Sequence, residues 1–277
     1  VTSPLRSLLA WARLLRLGNC AVIGFAAFVG YRLSGGERLS TALTLAVSAA
    51  LVGASGNVFN DLADLEVDRV NKPWRPLPSG EIGEGEALAA CLALALAGVL
   101  AGGLVSTLNL LIAASACALL FAYSWCLKRK GFAGNVAIAL LSALNIVYGG
   151  VAGPEPVASL LPAAYAFLVI LARELVKGLE DVAGDAAAGI KTVAVRYGPG
   201  AALKASGAAA AALVALSPLP YAALGYSARY LLVALLGVDL PLVLSIYLLW
   251  RGALSAWSAT RIMKVPLLMG LVAFFVG

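Results

Sequence analysis

Histidine and glutamine do not occur anywhere in the 277 residues. Without histidine there is no His-liganded zinc, no Ser-His-Asp triad and no imidazole general base. The lack of glutamine, with sparse asparagine, leans towards a heat-loving source, where thermolabile side chains are depleted. Charge is scarce too, with Asp, Glu, Lys and Arg together at 12%. The four cysteines, Cys20, Cys91, Cys117 and Cys126, lie in or beside apolar stretches without metal-ligand spacing, and read as buried free thiols.

What is abundant is hydrocarbon. Hydrophobic residues make up 62% of the chain and the mean hydropathy is +0.94. A membrane-crossing helix needs roughly 20 mostly apolar residues. Nine such stretches are present, at about 20–34, 40–60, 87–106, 108–127, 133–152, 157–176, 200–218, 229–250 and 262–277. Short alternating segments, the mark of a closed barrel, are missing. The expectation is an all-α polytopic membrane protein, with nine helices in one bundle forming a single domain over 1–277. Cytoplasmic cap loops are expected at about 61–86 and 177–199.

The formal charge of +6 could suggest nucleic acid as a partner, but its distribution argues for topology. With a cytoplasmic N-terminus, only Arg32, Arg38 and Arg229 of the 20 lysines and arginines fall outside. That is the positive-inside bias of a multi-spanning plasma-membrane protein. Residues 4–17, PLRSLLAWARLLRL, place Arg, Leu and Trp at helical spacing and read as an amphipathic helix on the cytoplasmic face. No small-residue cleavage site follows, which argues against a removed signal peptide. Arg16 and Asn19 then sit at the membrane entry, where a snorkelling anchor is one account of Arg16.

The second apolar stretch runs into GASGNVFNDLADLEVDRVNKPWRPLPSG, residues 53–80, which packs Asp61, Asp64, Glu66 and Asp68 into eight positions. Asn57, Asp61, Asp64 and Asp68 are spaced i, i+4, i+7 and i+11, so a continuous helix puts them on one face. Like charges repel there, and the helix C-terminus adds its own negative end. A bound cation offsets both penalties; without one, carboxyl pKa values rise. The prolines after Lys72 exclude helix, leaving a stiff loop that carries Arg69, Lys72 and Arg75 back over the acids.

A second constellation ends the sixth stretch: Arg173, Glu174, Lys177, Glu180, Asp181 and Asp185. Helices two and six both finish on the cytoplasmic side by parity. The run Lys128-Arg129-Lys130 after the fourth stretch is either a topogenic stop signal or a ligand contact. Asp239 lies mid-span, where an ionised Asp costs roughly 2.5–3.5 kcal/mol on insertion scales. It is either functional or paired, or is protonated and bonded to backbone freed by Pro241. Paired acidic rows flanked by cations suit a magnesium-bound diphosphate, and apolar surroundings suit a greasy substrate.

Asn60-Asp61-x-x-Asp64-x-x-x-Asp68, followed by Asn71-Lys-Pro-x-Arg75-Pro-Leu-Pro-Ser-Gly80, resembles the first signature of the UbiA-type intramembrane prenyltransferases. Asp181-x-x-x-Asp185-x-x-x-Gly-Ile-Lys191-Thr resembles the second. The resemblance implies transfer of an isoprenyl group from its diphosphate to an acceptor. It implies that Asn57, Asp61, Asp64, Asp68, Asp181 and Asp185 hold two magnesium ions on the donor diphosphate. Arg75, Lys128, Lys177, Lys72 and Tyr123 are then the diphosphate contacts, with the proline-rich loop closing over the site. Arg16, Asn19 and Lys177 look most like the archaeal lipid branch, whose acceptor is geranylgeranylglyceryl phosphate, and Arg16 and Asn19 would bind it. Gly178 departs from that branch, where an acid is expected. An aromatic acid such as 4-hydroxybenzoate is the alternative acceptor, and a cation-coupled transporter the alternative of another class. Membrane lipids are expected partners and nucleic acid is not.

Overall fold

In hydrocarbon, backbone polar groups must be satisfied within the protein, which leaves helices and closed barrels as the only spanning forms. This chain takes the helical form. The structure, a computed structural model, describes residues 4–180, 182–187 and 189–277, and no strand occurs among them. Eight helical stretches are long and apolar enough to cross a membrane, and a ninth is counted if a bent N-terminal pair is one span. That pair is α1 (Pro4–Leu15) and α2 (Leu17–Leu33), bent by 49°. The 17 residues of α2 span about 26 Å, the short end of what a bilayer core accepts.

The contacts divide the described chain into two compact units. The first comprises the chain up to Leu127 together with residues 148–156. It contains α1, α2, α3 (Leu39–Ala63), α4 (Leu65–Asn71), α5 (Glu84–Gly103) and α6 (Thr107–Trp125). The central element is α3, packed against α2, α5 and α6. Close approach needs small residues there. A Cβ on Gly24 of α2 would lie 2.7 Å from the Ala46 carbonyl oxygen, and one on Gly98 of α5 2.8 Å from Val52 Cγ2. Polar side chains then bond across the helices: the Ser48 hydroxyl donates to the Gly98 carbonyl at 2.7 Å and lies 2.6 Å from the Tyr148 hydroxyl. Buried Asn109 donates to the Tyr148 carbonyl at 2.8 Å.

The second unit comprises residues 128–147 and 157–277. Most of α7 (Phe132–Gly150) lies in it, although the last turn of α7 belongs to the first unit. It continues through α8 (Leu160–Lys177), α9 (Val182–Ala187), α10 (Val193–Tyr197), α11 (Pro199–Leu216) and α12 (Leu219–Ala223). It ends with α13 (Ala228–Val233), α14 (Leu240–Trp250), α15 (Ala256–Ile262) and α16 (Lys264–Val276). Between α13 and α14, Ala234–Asp239 is wound as a π-helix. Pro241 has no N–H to give the carbonyl four residues back, which favours widening of the coil at this point.

Local geometry departs from the sequence reading in three places. The last span starts at Ala256, earlier than the expected 262, and its helix is interrupted at Met263 between α15 and α16. The acidic helix does not continue through Asp64, which has left helical geometry (φ −97°, ψ 2°) before α4 begins. Cys126 is exposed at the end of α6, whereas Cys20, Cys91 and Cys117 are buried as free thiols.

Candidate active site

The acids of the first unit sit where α3 stops and α4 starts. Repulsion among them and the negative end of α3 both oppose one long helix here. The break is slight, since Asp64 N–H bonds the Asn60 carbonyl and Asp68 N–H bonds the Asp64 carbonyl. Asp61 and Asp68 are both buried, and Asn60 Nδ2 donates to Asp64 Oδ2 at 3.3 Å. Glu66 points elsewhere: it is exposed and paired with Arg69, which also reaches Glu84 at 2.9 Å.

Two arginines hold the buried pair. Arg75 Nη1 donates to Asp68 Oδ2 at 2.5 Å and to Asp61 Oδ1 at 3.4 Å. Arg16 Nη2 donates to the same Asp61 oxygen. Arg75 comes from the proline-rich segment, which is irregular from Lys72 to Gly83 as its prolines require. That segment is pinned from below, because Leu77 and Ile82 are buried in a cluster with Ala10, Leu14, Val58, Leu65, Ala87 and Cys91. Arg16 reaches Asp61 from the bend between α1 and α2. It is the one described non-glycine residue with positive φ (φ 54°, ψ 55°). Such backbone persists where its surroundings enforce it. Asn57 fastens the same bend to α3 by donating Nδ2 to the Leu15 carbonyl at 3.0 Å. A cation would therefore meet Asn57 through its amide oxygen.

Burial pushes the Asp68 carboxyl above its ordinary pKa of 3.8, while the Arg75 guanidinium beside it and Lys72 pull it back down. Among the described residues, no three acidic, cysteine or histidine side chains form a ready cage for a metal ion. The donors do fit magnesium, which takes hard oxygens and is commonly held by one or two carboxylates plus substrate phosphates.

In the second unit the hub is Glu174, a residue that sequence reading left without a role. It is buried, accepts from Arg173 Nη1 at 2.8 Å and pairs with Lys177 Nζ at 3.4 Å. Arg173 Nε also donates to the Thr260 carbonyl at 3.3 Å, and the Thr260 hydroxyl donates to Glu180. Thr260 lies on α15, 87 positions from Arg173, and no local motif marks it. Asp185 is half-buried on the short α9, while Asp181 lies outside the described residues. Gly178 is not required by space, since a Cβ there would meet the Leu175 carbonyl oxygen at an ordinary 3.5 Å.

The remaining candidates are placed as follows. Tyr123 is half-buried in the last turn of α6, and Lys128 lies on the single turn Leu127–Arg129 that follows. Lys72 caps the end of α4, half-buried, and Asn19 is exposed in the first turn of α2. The structure therefore joins Arg16, Asn57, Asp61, Asp68 and Arg75 in one contiguous arrangement. It holds Lys177 through Glu174 in the other unit.

Comparison with known proteins finds relatives over nearly the whole chain. The chain is 40% identical over 266 residues to the digeranylgeranylglyceryl phosphate synthase of Methanopyrus kandleri, covering 96% of this chain and 97% of that protein. A structure solved in work on digeranylgeranylglyceryl phosphate synthase in membranes superposes with a TM-score of 0.77 at 30% identity, covering 98% of each chain. A UbiA homolog from Archaeoglobus fulgidus, solved with DMAPP and Mg2+, shares the fold at a TM-score of 0.68 and 21% identity, over 96% of this chain and 99% of its own. The sequence model of the UbiA prenyltransferase family matches residues 21–269. The chain belongs to the UbiA prenyltransferase family.

Proposed function

We propose that this chain transfers a geranylgeranyl group from its diphosphate to geranylgeranylglyceryl phosphate in archaeal ether-lipid synthesis. The observation that carries the reading is the 40% identity to the Methanopyrus kandleri enzyme over 96% of the chain. The family match also runs unbroken across both units, which supports treating 1–277 as one catalytic domain. Positive charge biased to one side supports a plasma-membrane protein with a cytoplasmic N-terminus and site.

Asn57, Asp61, Asp64 and Asp68 in the first unit, with Asp181 and Asp185 in the second, are assigned to two magnesium ions. The bound Archaeoglobus fulgidus homolog supports the choice of metal. Magnesium supplies neutralisation of the leaving diphosphate. Arg16 and Arg75 neutralise Asp61 and Asp68 in the structure, and the same guanidiniums can turn to phosphate oxygens. Arg75, Lys72, Lys128, Lys177 and Tyr123 are assigned to the donor diphosphate, and Arg16 with Asn19 to the acceptor phosphate.

The allylic C–O bond breaks with its electron pair leaving on the diphosphate. The acceptor hydroxyl oxygen then bonds to the allylic carbon, and its proton passes to a diphosphate oxygen. Capture of a carbocation asks little of the nucleophile, which suits a chain without histidine. The segment from Lys72 to Gly83 keeps water from the cation. The test offers geranylgeranylglyceryl phosphate and 4-hydroxybenzoate together with geranylgeranyl diphosphate and magnesium. A digeranylgeranylglyceryl phosphate product by mass is expected. Prenylated hydroxybenzoate as the main product would overturn the acceptor assignment while leaving the family intact.

A further inference from the structure

The second unit encloses a cavity of about 40 Å³ in its helical core, and no acid assigned to magnesium lines it. Its walls are apolar except for Tyr165, Ser217, Tyr230 and Asp239. Asp239 is the twelfth of the 23 residues in the span Ala228–Trp250 and closes the π-helical segment. It is 6% exposed, and neither carboxyl oxygen has a hydrogen-bond partner. An unmatched carboxyl at mid-span is costly, and in a native protein it calls for a specific explanation.

The neighbouring hydroxyls show what is missing. Pro220 has no N–H, so the Leu216 carbonyl at the end of α11 has no helical donor, and the Tyr165 hydroxyl donates to it instead. The Tyr230 hydroxyl donates to the Ser217 carbonyl at 3.0 Å. Both tyrosines lie close enough to Asp239 to feel its charge, yet both have spent their single hydrogen on backbone. Ser217 lines the cavity beside the carboxyl, and its hydroxyl has one hydrogen to offer there. The cavity therefore presents two carboxylate oxygens and two phenolic lone-pair oxygens against the single hydroxyl hydrogen of Ser217. An acceptor-rich lining selects a species that brings positive charge.

We infer that this cavity is a binding site for an alkali-metal cation, held by Asp239 with the Tyr165 and Tyr230 oxygens. One carboxylate balances one monovalent charge, whereas a divalent ion would leave net charge in apolar surroundings. A water-sized occupant needs roughly 10–15 Å³ by this measure, so the volume takes the ion and about two waters. Bound there, the ion ties the π-helical segment to the end of α11 and to α8.

The test uses the full chain in lipid nanodiscs with EDTA present throughout, so that the magnesium site does not contribute. Thermal unfolding is followed at pH 8 in sodium, potassium or N-methylglucamine chloride at matched ionic strength. The expected result is a saturable rise of at least about 3 °C in one alkali salt over N-methylglucamine, absent in Asp239→Asn. Tyr165→Phe should move the half-saturating concentration upward several-fold. Identical melting of the native chain in all three salts would overturn the proposal and leave Asp239 as a protonated acid. Retention of the rise in Asp239→Asn would place the ion elsewhere and overturn it equally. Should Asp239→Asn fail to fold, thallium anomalous scattering from crystals of the native chain decides. A peak in the cavity supports the site, and no peak refutes it.

Discussion

At the scale of single residues, two arginines hold the buried carboxylates of the first unit, Arg16 on Asp61 and Arg75 on both Asp61 and Asp68. Arg16 combines a left-handed backbone with a guanidinium on Asp61, so its place depends on the bend between α1 and α2. Charge-assisted hydrogen bonds contribute about 1.5–3 kcal/mol, so Arg16→Ala should raise the KM for the phosphate acceptor by about 10-fold or more. The KM for the donor should change less, which steady-state kinetics with each substrate varied in turn will show. Asp68 makes a pH prediction. Burial lifts its pKa above 3.8, so the folded chain holds this proton to higher pH than the unfolded chain does. Stability therefore falls as pH rises from 3.8 through the raised value and is level above it. With Asp68 assigned to magnesium, which takes the ionised form, activity should fall as pH drops through that same raised value. Arg75→Ala removes an attraction that opposes the rise, and should move the acid limb of the kcat/KM profile to higher pH.

At the scale of elements, the proline-rich segment is a rigid arm with a buried root. Leu77 and Ile82 sit in the cluster under α1, α3, α4 and α5, while Trp74 is exposed at the segment's outer surface. Truncating a buried leucine costs about 2–5 kcal/mol. Leu77→Ala should therefore release this arm before it unfolds the unit. Chymotrypsin is expected to cut after Trp74 in the variant and not in the native chain, with fragment masses as the readout. Loss of activity should accompany the cutting, because Arg75 leaves Asp61 and Asp68 with the arm.

At the scale of the whole molecule, the proposed orientation puts the end of α6 on the cytoplasmic side. Cys126 lies there and is the exposed member of the four cysteines. A membrane-impermeant maleimide should label it in inverted vesicles and leave it untouched in right-side-out ones, read by intact mass. Cys20, Cys91 and Cys117 are buried and should stay unlabelled in both until the protein is denatured. Reversed labelling would turn the topology over and put the acidic helix ends outside.

Much of the candidate site was readable in the chain because charge is so rare in it. Asp61, Asp64 and Asp68 stand out against apolar flanks, and the prolines after Lys72 rule out helix on steric grounds alone. Spans and the acidic clusters follow from local composition, since a bilayer imposes length and polarity on each segment separately. Other features depend on which segments lie beside one another. The left-handed bend at Arg16 is imposed by its docking against α3, because arginine has no preference of its own for that conformation. The Arg173–Glu174–Lys177 hub is completed by Thr260 from α15, far away in sequence. Asp239 was visible as an odd residue, but only packing showed that Tyr165 and Tyr230 had given their hydrogens to backbone freed near Pro218 and Pro220. Local composition determined what each segment must be. Tertiary contact decided which polar atoms were left wanting a partner, because hydrogen bonds are made between particular atoms and not between compositions.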